Sequence, residues 1–306
     1  MKKRQIGNSE LWVSEIGLGC MSLGTDEWKA MSIIDGAIEL GINYLDTADL
    51  YDRGVNEELV GKAIQQKRHD IILATKVGNR FDDGKDGWYW DPSKAYIKEA
   101  VKESLRRLRT DYIDLYQLHG GTIEDHIDET IEAFEELKQE GVIRYYGISS
   151  IRPNVIKQYL QKSSIISIMM QHSLLDRRPE EWFSLIQEHQ VSVIARGPLA
   201  KGLLTGRPLD HASDKIKNDG YLHYSYFELV DTLEKVDRVS SSHSRTELAL
   251  QYCLAHDVIS AVIPGASRIE QLRENVAALQ ATPLTNEVVQ QLKDVTKASF
   301  YENHRD

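Results

Sequence analysis

The chain has 306 residues, with 37 Lys or Arg against 47 Asp or Glu, giving a formal net charge of −10. This acidic balance argues against nucleic acid or anionic lipid as partners, and no window approaches the ~18 consecutive apolar residues of a transmembrane helix. Cys20 and Cys253 lie far apart and form no CxxC pair, which favours core packing in a reducing compartment. We expect a cytoplasmic protein that binds a small molecule and has no obligate protein partner.

Short apolar strands alternate with amphipathic helices along the chain. In chain order, the strand-like runs are EIGLGC, INYLD, DIILATK, YIDLYQLH, IRYYGIS, SIISIMMQ, VSVIAR and ISAVIPG. About eight strands separated by helices predict parallel pairing through right-handed crossovers. We therefore predict an α/β fold, a (β/α)8 TIM barrel that spans residues 1–306 as one domain. Its active site should lie at the C-terminal ends of the strands.

The helices carry start and stop signals, and two longer insertions interrupt the alternation. Asp91 and Pro92 predict a helix start, whereas Gly41 and Gly141 follow predicted helix ends. The insertions cover residues 78–90 and 205–227, and both are rich in aromatic side chains. Long loops in a compact domain are often functional, so we predict that both insertions act as lids.

Ionisable side chains stand at the ends of the second, third and fourth predicted strands. These are Asp46, Lys76 and His119, and Tyr51 follows Asp46 in the run NYLDTADLYDRG. A nearby ammonium stabilises a phenolate, so we predict that Lys76, oriented by Asp46, lowers the pKa of Tyr51 from its usual value of about 10. Tyr51 would act as a general acid while His119 positions a substrate carbonyl. Singly, each residue suits an ordinary packing or surface role, and it is their joint position that indicates catalysis.

The C-terminal part of the chain predicts an anion-binding site. After the last strand, Ser267 and Glu270 have the spacing of a capping box that opens a helix. The N–H groups of such a helix start attract phosphate, and Arg268 adds a positive charge there. After the seventh strand, Gly197 and Gly202 allow the backbone to approach a ligand closely. We expect no metal site, because no HExxH or paired CxxC motif is present.

Taken together, these segments resemble the aldo-keto reductase superfamily over nearly the whole chain. The segments that carry the resemblance are DTADLYDRGVNEELVG, ILATKVG, SLRRLRTDYIDLYQLH, GVIRYYGISS, SLLDRRPEEW, GPLAKGLLTG and PGASRIEQLRENVAAL. The chain is similar to the bacterial general-stress and inositol-cluster reductases, a branch related to potassium-channel β subunits. The resemblance implies a TIM barrel that uses NADPH without a metal, with a catalytic tetrad of Asp46, Tyr51, Lys76 and His119.

The resemblance also implies which residues bind cofactor and substrate. Ser149 would bind the carboxamide, and the backbone near Pro198 the pyrophosphate. Arg268, Gln271 and Asn275 would bind the adenosine end. The full set expected at the cofactor is Gly19, Cys20, Met21, Ser149, Ser150, Gln171, His172, Arg196, Gly197, Pro198, Leu199, Lys201, Gly202, Gly265, Ser267, Arg268, Gln271 and Asn275. The set expected at the substrate is Trp28, Tyr51, Trp88 and His119.

Four positions depart from the family pattern at the nicotinamide, and the first is Ser150, which stands where many members have asparagine. Aligned on LLDRR, Met169 stands where a carboxamide-binding glutamine is common, and His172 stands where an aromatic ring usually stacks on nicotinamide. Arg196 replaces a frequent tyrosine. The departures concern how the cofactor is held rather than the type of reaction.

The function expected from these residues is the NADPH-dependent reduction of small aldehydes or ketones to alcohols. The nicotinamide would deliver hydride, and Tyr51 would deliver the proton. Two alternatives stay open: an aldolase that forms a Schiff base through Lys76, and a barrel that holds NADP as a redox-sensing module with slow turnover.

Overall fold

The computed structural model describes residues 1–81 and 87–305. Its strands are β1 (Lys3–Gln5), β2 (Trp12–Ser14), β3 (Leu18–Gly19), β4 (Tyr44–Asp46), β5 (Ile72–Val77), β6 (Asn79–Phe81), β7 (Trp88–Trp90), β8 (Ile113–Leu118), β9 (Ile143–Ser149), β10 (Ser167–Gln171), β11 (Ser192–Arg196) and β12 (Ile259–Ile263). Its α-helices are α1 (Glu27–Glu39), α2 (Val55–Ile64), α3 (Lys94–Leu108), α4 (Ile127–Gln139), α5 (Pro153–Lys162), α6 (Phe183–Glu188), α7 (Asp214–Asp219), α8 (Tyr226–Val239), α9 (Arg245–Leu254), α10 (Ile269–Ala278) and α11 (Asn286–Val295).

Eight parallel strands form the barrel, in the order β3, β4, β5, β8, β9, β10, β11 and β12. The barrel closes where Ile16 pairs with Val262 and Gly19 pairs with Gly265, both in parallel. Each of the eight predicted strand runs overlaps one of these strands, and the predicted (β/α)8 barrel is confirmed. The strands are nearly continuously apolar because helices cover their outer faces.

The N-terminal hairpin covers the amino ends of the barrel strands. Strands β1 and β2 pair antiparallel, and Ser260 Oγ near the start of β12 donates a hydrogen bond to Gln5 O. The side chains of Ile6, Leu11 and Val13 join the apolar cluster inside the barrel. With its amino end filled in this way, the barrel offers its carboxyl end for a site.

Two local predictions change in the structure. Helix α3 begins at Lys94, and Ser93 caps it by accepting a hydrogen bond from Tyr96 N, so the helix starts two residues after Pro92. Residues 78–90 include the antiparallel hairpin of β6 and β7. Residues 82–86 of that predicted lid lie outside the described residues. Within the ranges 1–81 and 87–305, no helix combines the length and apolar character needed to span a bilayer.

Candidate active site

The parallel register brings the predicted catalytic residues to one level of the barrel. Asp46 ends β4 and pairs with Ala74 of β5, two residues before Lys76. Lys76 pairs with Gln117 of β8, and His119 follows that strand directly, its N–H bonding to Val77 O at 2.7 Å. Neighbouring strands therefore deliver an acid, a cation and an imidazole to the carboxyl end, as the sequence predicted.

Tyr51 reaches the same place through a short left-handed turn. Asp52, Arg53 and Gly54 have φ values of 49°, 53° and 87°. A side chain on Gly54 would also meet Arg107 Cδ at 2.8 Å, so this position requires glycine. The turn sends the chain into α2 and leaves the phenol beside β5.

Four side chains lie together in a largely buried group, which we call the catalytic cluster after its predicted role: Asp46, Tyr51, Lys76 and His119. Lys76 Nζ donates to Asp46 Oδ2 at 2.6 Å and to Thr47 O at 2.7 Å. It also donates to Tyr51 Oη at 3.2 Å. The rings of Tyr51 and His119 meet edge to face with centroids 5.9 Å apart. Only 1% of the Lys76 side chain is exposed, so water does not screen these contacts.

Lys76 is held in its charged form. Burial on its own would lower the pKa of the ammonium, but Asp46 and Tyr51 outweigh burial and raise it above the ordinary value. A Schiff-base lysine needs the opposite shift, because only the neutral amine attacks a carbonyl. The contacts of Lys76 therefore favour a role as a fixed cation.

The predicted direction of the Tyr51 shift is wrong. Burial raises the pKa of the phenol, and Lys76 offsets that effect only in part, so the pKa lies above its usual value of 10.0. At neutral pH, Tyr51 consequently keeps its proton. Lys76 stabilises the phenolate that forms once the proton has left, which suits a proton donor.

His119 is neutral at physiological pH. Burial lowers its pKa to about 3, and the charges of Lys76 and Arg196 act in the same direction. Its Nδ1 is buried without a hydrogen-bond partner among the described residues. A neutral imidazole can donate one hydrogen bond without carrying charge, which suits the positioning of a carbonyl oxygen.

The catalytic cluster lies at one end of a cleft of about 1250 Å³. Nearly all the residues predicted for cofactor and catalysis line it: Gly19, Met21, Asp46, Tyr51, Lys76, His119, Ser149, Gln171, Arg196, Gly197, Pro198, Leu199, Lys201, Gly202, Gly265, Ser267, Arg268, Gln271 and Asn275. The cleft thus connects the catalytic cluster with the start of α10. Its volume is sufficient for a ligand larger than a small carbonyl compound.

Three predicted cofactor residues do not line this cleft. The Cys20 thiol is buried and donates to Leu18 O, and the Ser150 hydroxyl accepts from Arg152 N at 3.3 Å. His172 is fully buried, with its Nε2 3.2 Å from Glu180. Each of these residues lies directly after the last residue of its strand, and that last residue lines the cleft.

The two tryptophans expected at the substrate lie outside the cleft. Trp28 is 82% exposed near the start of α1, and Trp88 is 54% exposed on the β6–β7 hairpin. Neither residue lines the cleft, and no described residue of the 78–90 insertion does. The 205–227 insertion does contribute, through Thr205, Gly206, Arg207 and Tyr221.

The start of α10 differs from the predicted capping box. Arg268 is the N-cap residue, and its side chain makes no capping hydrogen bond. Gln271 takes over the role expected of Glu270, because its Oε1 accepts from Ser267 N at 3.0 Å and from Ser267 Oγ at 3.2 Å. The Arg268 side chain therefore takes no part in capping and lines the cleft.

Some residues of the site were not identified from the sequence. Gln117 Nε2 donates to Asp46 Oδ1 at 3.2 Å from beneath the catalytic cluster. Gln117 lies two residues before His119, and this spacing was a signal for it, because side chains two residues apart in an extended chain lie on the same face. Arg207 and Tyr221 come from the long insertion, where no periodic pattern fixes position.

The family model for the aldo/keto reductase family matches residues 15–297, and the chain belongs to this family. It is therefore a nicotinamide-dependent oxidoreductase. The uncharacterized oxidoreductase YqkF of Bacillus subtilis (strain 168) is 68% identical over 305 residues, covering 100% of both chains. The solved structure of aldo-keto reductase AKR11C1 from Bacillus halodurans, in its holo form, matches with a TM-score of 0.95 and 67% identity, covering 100% of both chains. The NADH-specific methylglyoxal reductase of Escherichia coli (strain K12) is 31% identical over 307 residues, covering 91% of this chain and 94% of the relative.

Proposed function

We propose that this protein reduces small aldehydes or ketones to alcohols with NADPH. The observation that carries the proposal is the contact of Lys76 Nζ with both Asp46, at 2.6 Å, and Tyr51, at 3.2 Å, beside the neutral imidazole of His119. These groups can donate a proton and stabilise the charge left behind. They lie at the end of a cleft large enough for a dinucleotide as well.

The cleft residues fit a nicotinamide dinucleotide. Lys201, Arg207 and Arg268 bring positive charge to the cleft of a protein whose net charge is −10, and this matches a phosphate-bearing ligand. The set that would hold the dinucleotide comprises Ser149 for the carboxamide, Pro198, Leu199 and their neighbouring glycines for the pyrophosphate, and Arg268, Gln271 and Asn275 for the adenosine end. When bound, the nicotinamide supplies the hydride.

The roles of the catalytic cluster follow from its hydrogen bonds. His119 donates a hydrogen bond to the carbonyl oxygen and orients it. Tyr51 transfers its proton to the same oxygen as negative charge develops there. Lys76, held by Asp46, stabilises the resulting phenolate and limits the cost of the transfer.

Steady-state oxidation of NADPH, with a panel of small aldehydes and ketones that includes methylglyoxal, tests the reaction class. We expect turnover at rates of about 1 s⁻¹ or above with at least one member of the panel. A protein that binds NADPH but completes only slow single turnovers would favour the redox-sensing alternative. Formation of a borohydride-trapped adduct at Lys76 would favour the aldolase, against the raised pKa of that lysine.

The choice of NADPH over NADH depends on Arg268, because a guanidinium can pair with the 2′-phosphate. Arg268 forms no ion pair within the described residues, so its charge is available. Arg268→Ala should weaken NADPH binding by about 10- to 100-fold and leave NADH binding nearly unchanged. Arg273→Ala is the matched control, because Arg273 belongs to the same helix but is exposed outside the cleft. Equal losses for both dinucleotides would exclude the phosphate contact and favour a cofactor preference like that named for the E. coli relative.

We also propose a cytoplasmic location and a single barrel domain. The location is supported by two free, buried cysteines, which need no oxidising compartment. Fractionation of cells of the source organism, with detection by antibody, tests it: recovery of the protein outside the cytoplasm would contradict the proposal.

A further inference from the structure

At the edge of the cleft, both the NH2 group and the oxygen of the Gln171 side-chain amide form hydrogen bonds. Its Nε2 donates to Asp176 Oδ2 at 2.9 Å, and its Oε1 accepts from Arg196 Nη1 at 3.1 Å. A carboxylate accepts only and a guanidinium donates only, so these two partners admit a single orientation of the amide. The secondary contact of Nε2 with Tyr221 Oη, at 3.4 Å, suits the same orientation.

Asp176 is a rigid anchor for this amide. Its side chain is fully buried, and Arg178 donates to its two oxygens from Nε and Nη2, each at 2.7 Å. Its backbone exchanges hydrogen bonds with Ser173 at 3.1 and 3.0 Å. A bidentate, buried ion pair of this kind has one low-energy geometry. The carboxylate therefore fixes Gln171 from behind the cleft wall.

Arg196, in contrast, has no other anchor. It ends β11 directly opposite Gln171 and is exposed into the cleft. Within the described residues its one side-chain hydrogen bond is the contact with Gln171, and it forms no ion pair. A free arginine side chain samples many rotamers, which a ligand must restrict when it binds.

We propose that Gln171, held by Asp176, is a positioning residue that fixes the Arg196 guanidinium at the catalytic end of the cleft before the cofactor binds. The inference rests on the proposed function, because it assigns Arg196 to the nicotinamide end of the bound dinucleotide. Gln171 departs from the sequence expectation in this respect: its amide is committed to Asp176 and Arg196 instead of being free for the cofactor. As a consequence, the Arg196 guanidinium is ordered in the cofactor site before the dinucleotide binds.

A double-mutant cycle on NADPH affinity tests the inference, with binding followed by fluorescence and no carbonyl substrate present. Gln171→Met keeps the length of the side chain and removes its hydrogen bonds to Asp176, Arg196 and Tyr221. It should weaken NADPH binding by about 3- to 10-fold, because the ligand must then order Arg196 itself. With Arg196→Met already present, the same change should alter affinity less than about 2-fold. An equal loss in both backgrounds would mean a merely structural role and would overturn the inference, as would no loss in the wild-type background.

A second measurement needs no cofactor. Peptide-resolved modification by phenylglyoxal should be several-fold faster at Arg196 in Gln171→Met than in the wild-type protein, with Arg207 as the internal control. An unchanged rate at Arg196 would overturn the inference. If the wild-type protein binds neither NADPH nor NADH, the proposed function fails, whereas this rate still decides whether Gln171 holds Arg196.

Discussion

Two buried clusters in this barrel use the same kinds of side chain, and only one of them faces the cleft. The catalytic cluster combines a carboxylate, a cation, a phenol and an imidazole. The Glu180 cluster, defined as His172, Arg177, Glu180 and Tyr252, repeats those four types between β10 and the surrounding helices. Similar composition thus gives two different environments.

The difference lies in where the phenol directs its proton. Tyr252 Oη lies 2.5 Å from Glu180 Oε1, so its proton is committed to the carboxylate. Tyr51 Oη instead accepts from Lys76, which leaves its own proton uncommitted. The central group of the Glu180 cluster is a carboxylate, which accepts the hydrogen bond of the phenol. The central group of the catalytic cluster is an ammonium, which leaves the phenol proton available for transfer. The order of donors and acceptors, rather than the residue types, distinguishes the two.

Removing the cation should separate the two clusters strongly. Lys76→Met should lower kcat by about 10²- to 10³-fold, because the phenolate loses its stabilising charge. Arg177→Met should instead leave kcat within about 3-fold and cost on the order of 3 kcal/mol of unfolding free energy, since it breaks a buried ion pair. Steady-state kinetics and chemical unfolding check both variants. A folded, fully active Lys76→Met protein would contradict the role of the cation.

Replacing one histidine of each cluster by glutamine should give a smaller difference in kcat between the two clusters. His119→Gln should lower kcat by about 10- to 100-fold, because the carbonyl loses its orienting donor. His172→Gln should leave turnover unchanged. It should lower the melting temperature by roughly 2–4 °C for each kcal/mol of unfolding free energy that is lost. Thermal melts and kinetics on both proteins test this pair. Loss of turnover in His172→Gln, with an unchanged melting temperature, would assign His172 to the cofactor after all.

The smallest effect is on acid stability. Burial and the nearby His172 lower the pKa of His256 to about 4 in the folded protein, against 6.5 as its ordinary value. A depressed folded pKa means that the unfolded chain binds the proton more readily. The contribution to stability is therefore complete above pH 6.5 and is lost as the pH falls towards 4. Between pH 7 and pH 4, the melting temperature should fall less for His256→Gln than for the wild-type protein. Parallel declines in the two proteins would exclude His256 as a source of the acid sensitivity.

The sequence was sufficient to predict the barrel and the catalytic cluster, because apolar strand runs end on polar residues at a common edge. Cys20, Ser150 and His172 were expected at the cofactor, but they do not line the cleft. Each lies one residue beyond the end of its strand, where the chain leaves the strand and the side chain is buried away from the cleft. A period of two would not have separated them from the lining residues, because Arg196, Gly197 and Pro198 line the cleft in succession.

Other features of the site were beyond the reach of sequence patterns. The positions of Trp28 and Trp88 depend on tertiary packing that no local period encodes. The pKa of Tyr51 depends on a balance between burial and Lys76, and the extent of burial appears only in the folded chain. Similarly, the pairing of Gln171 with Asp176 depends on a turn that brings the two side chains together.

The most direct test of Tyr51 as proton donor compares Tyr51→Phe with Tyr252→Phe in single-turnover reactions with NADPH and the best carbonyl substrate. Tyr51→Phe should bind NADPH normally and transfer hydride about 10²- to 10⁴-fold more slowly, because the carbonyl oxygen is left without an acid. Tyr252→Phe should retain the wild-type rate and lose only stability. Hydride transfer at the wild-type rate in Tyr51→Phe, with NADPH bound, would contradict the assignment of the proton to Tyr51.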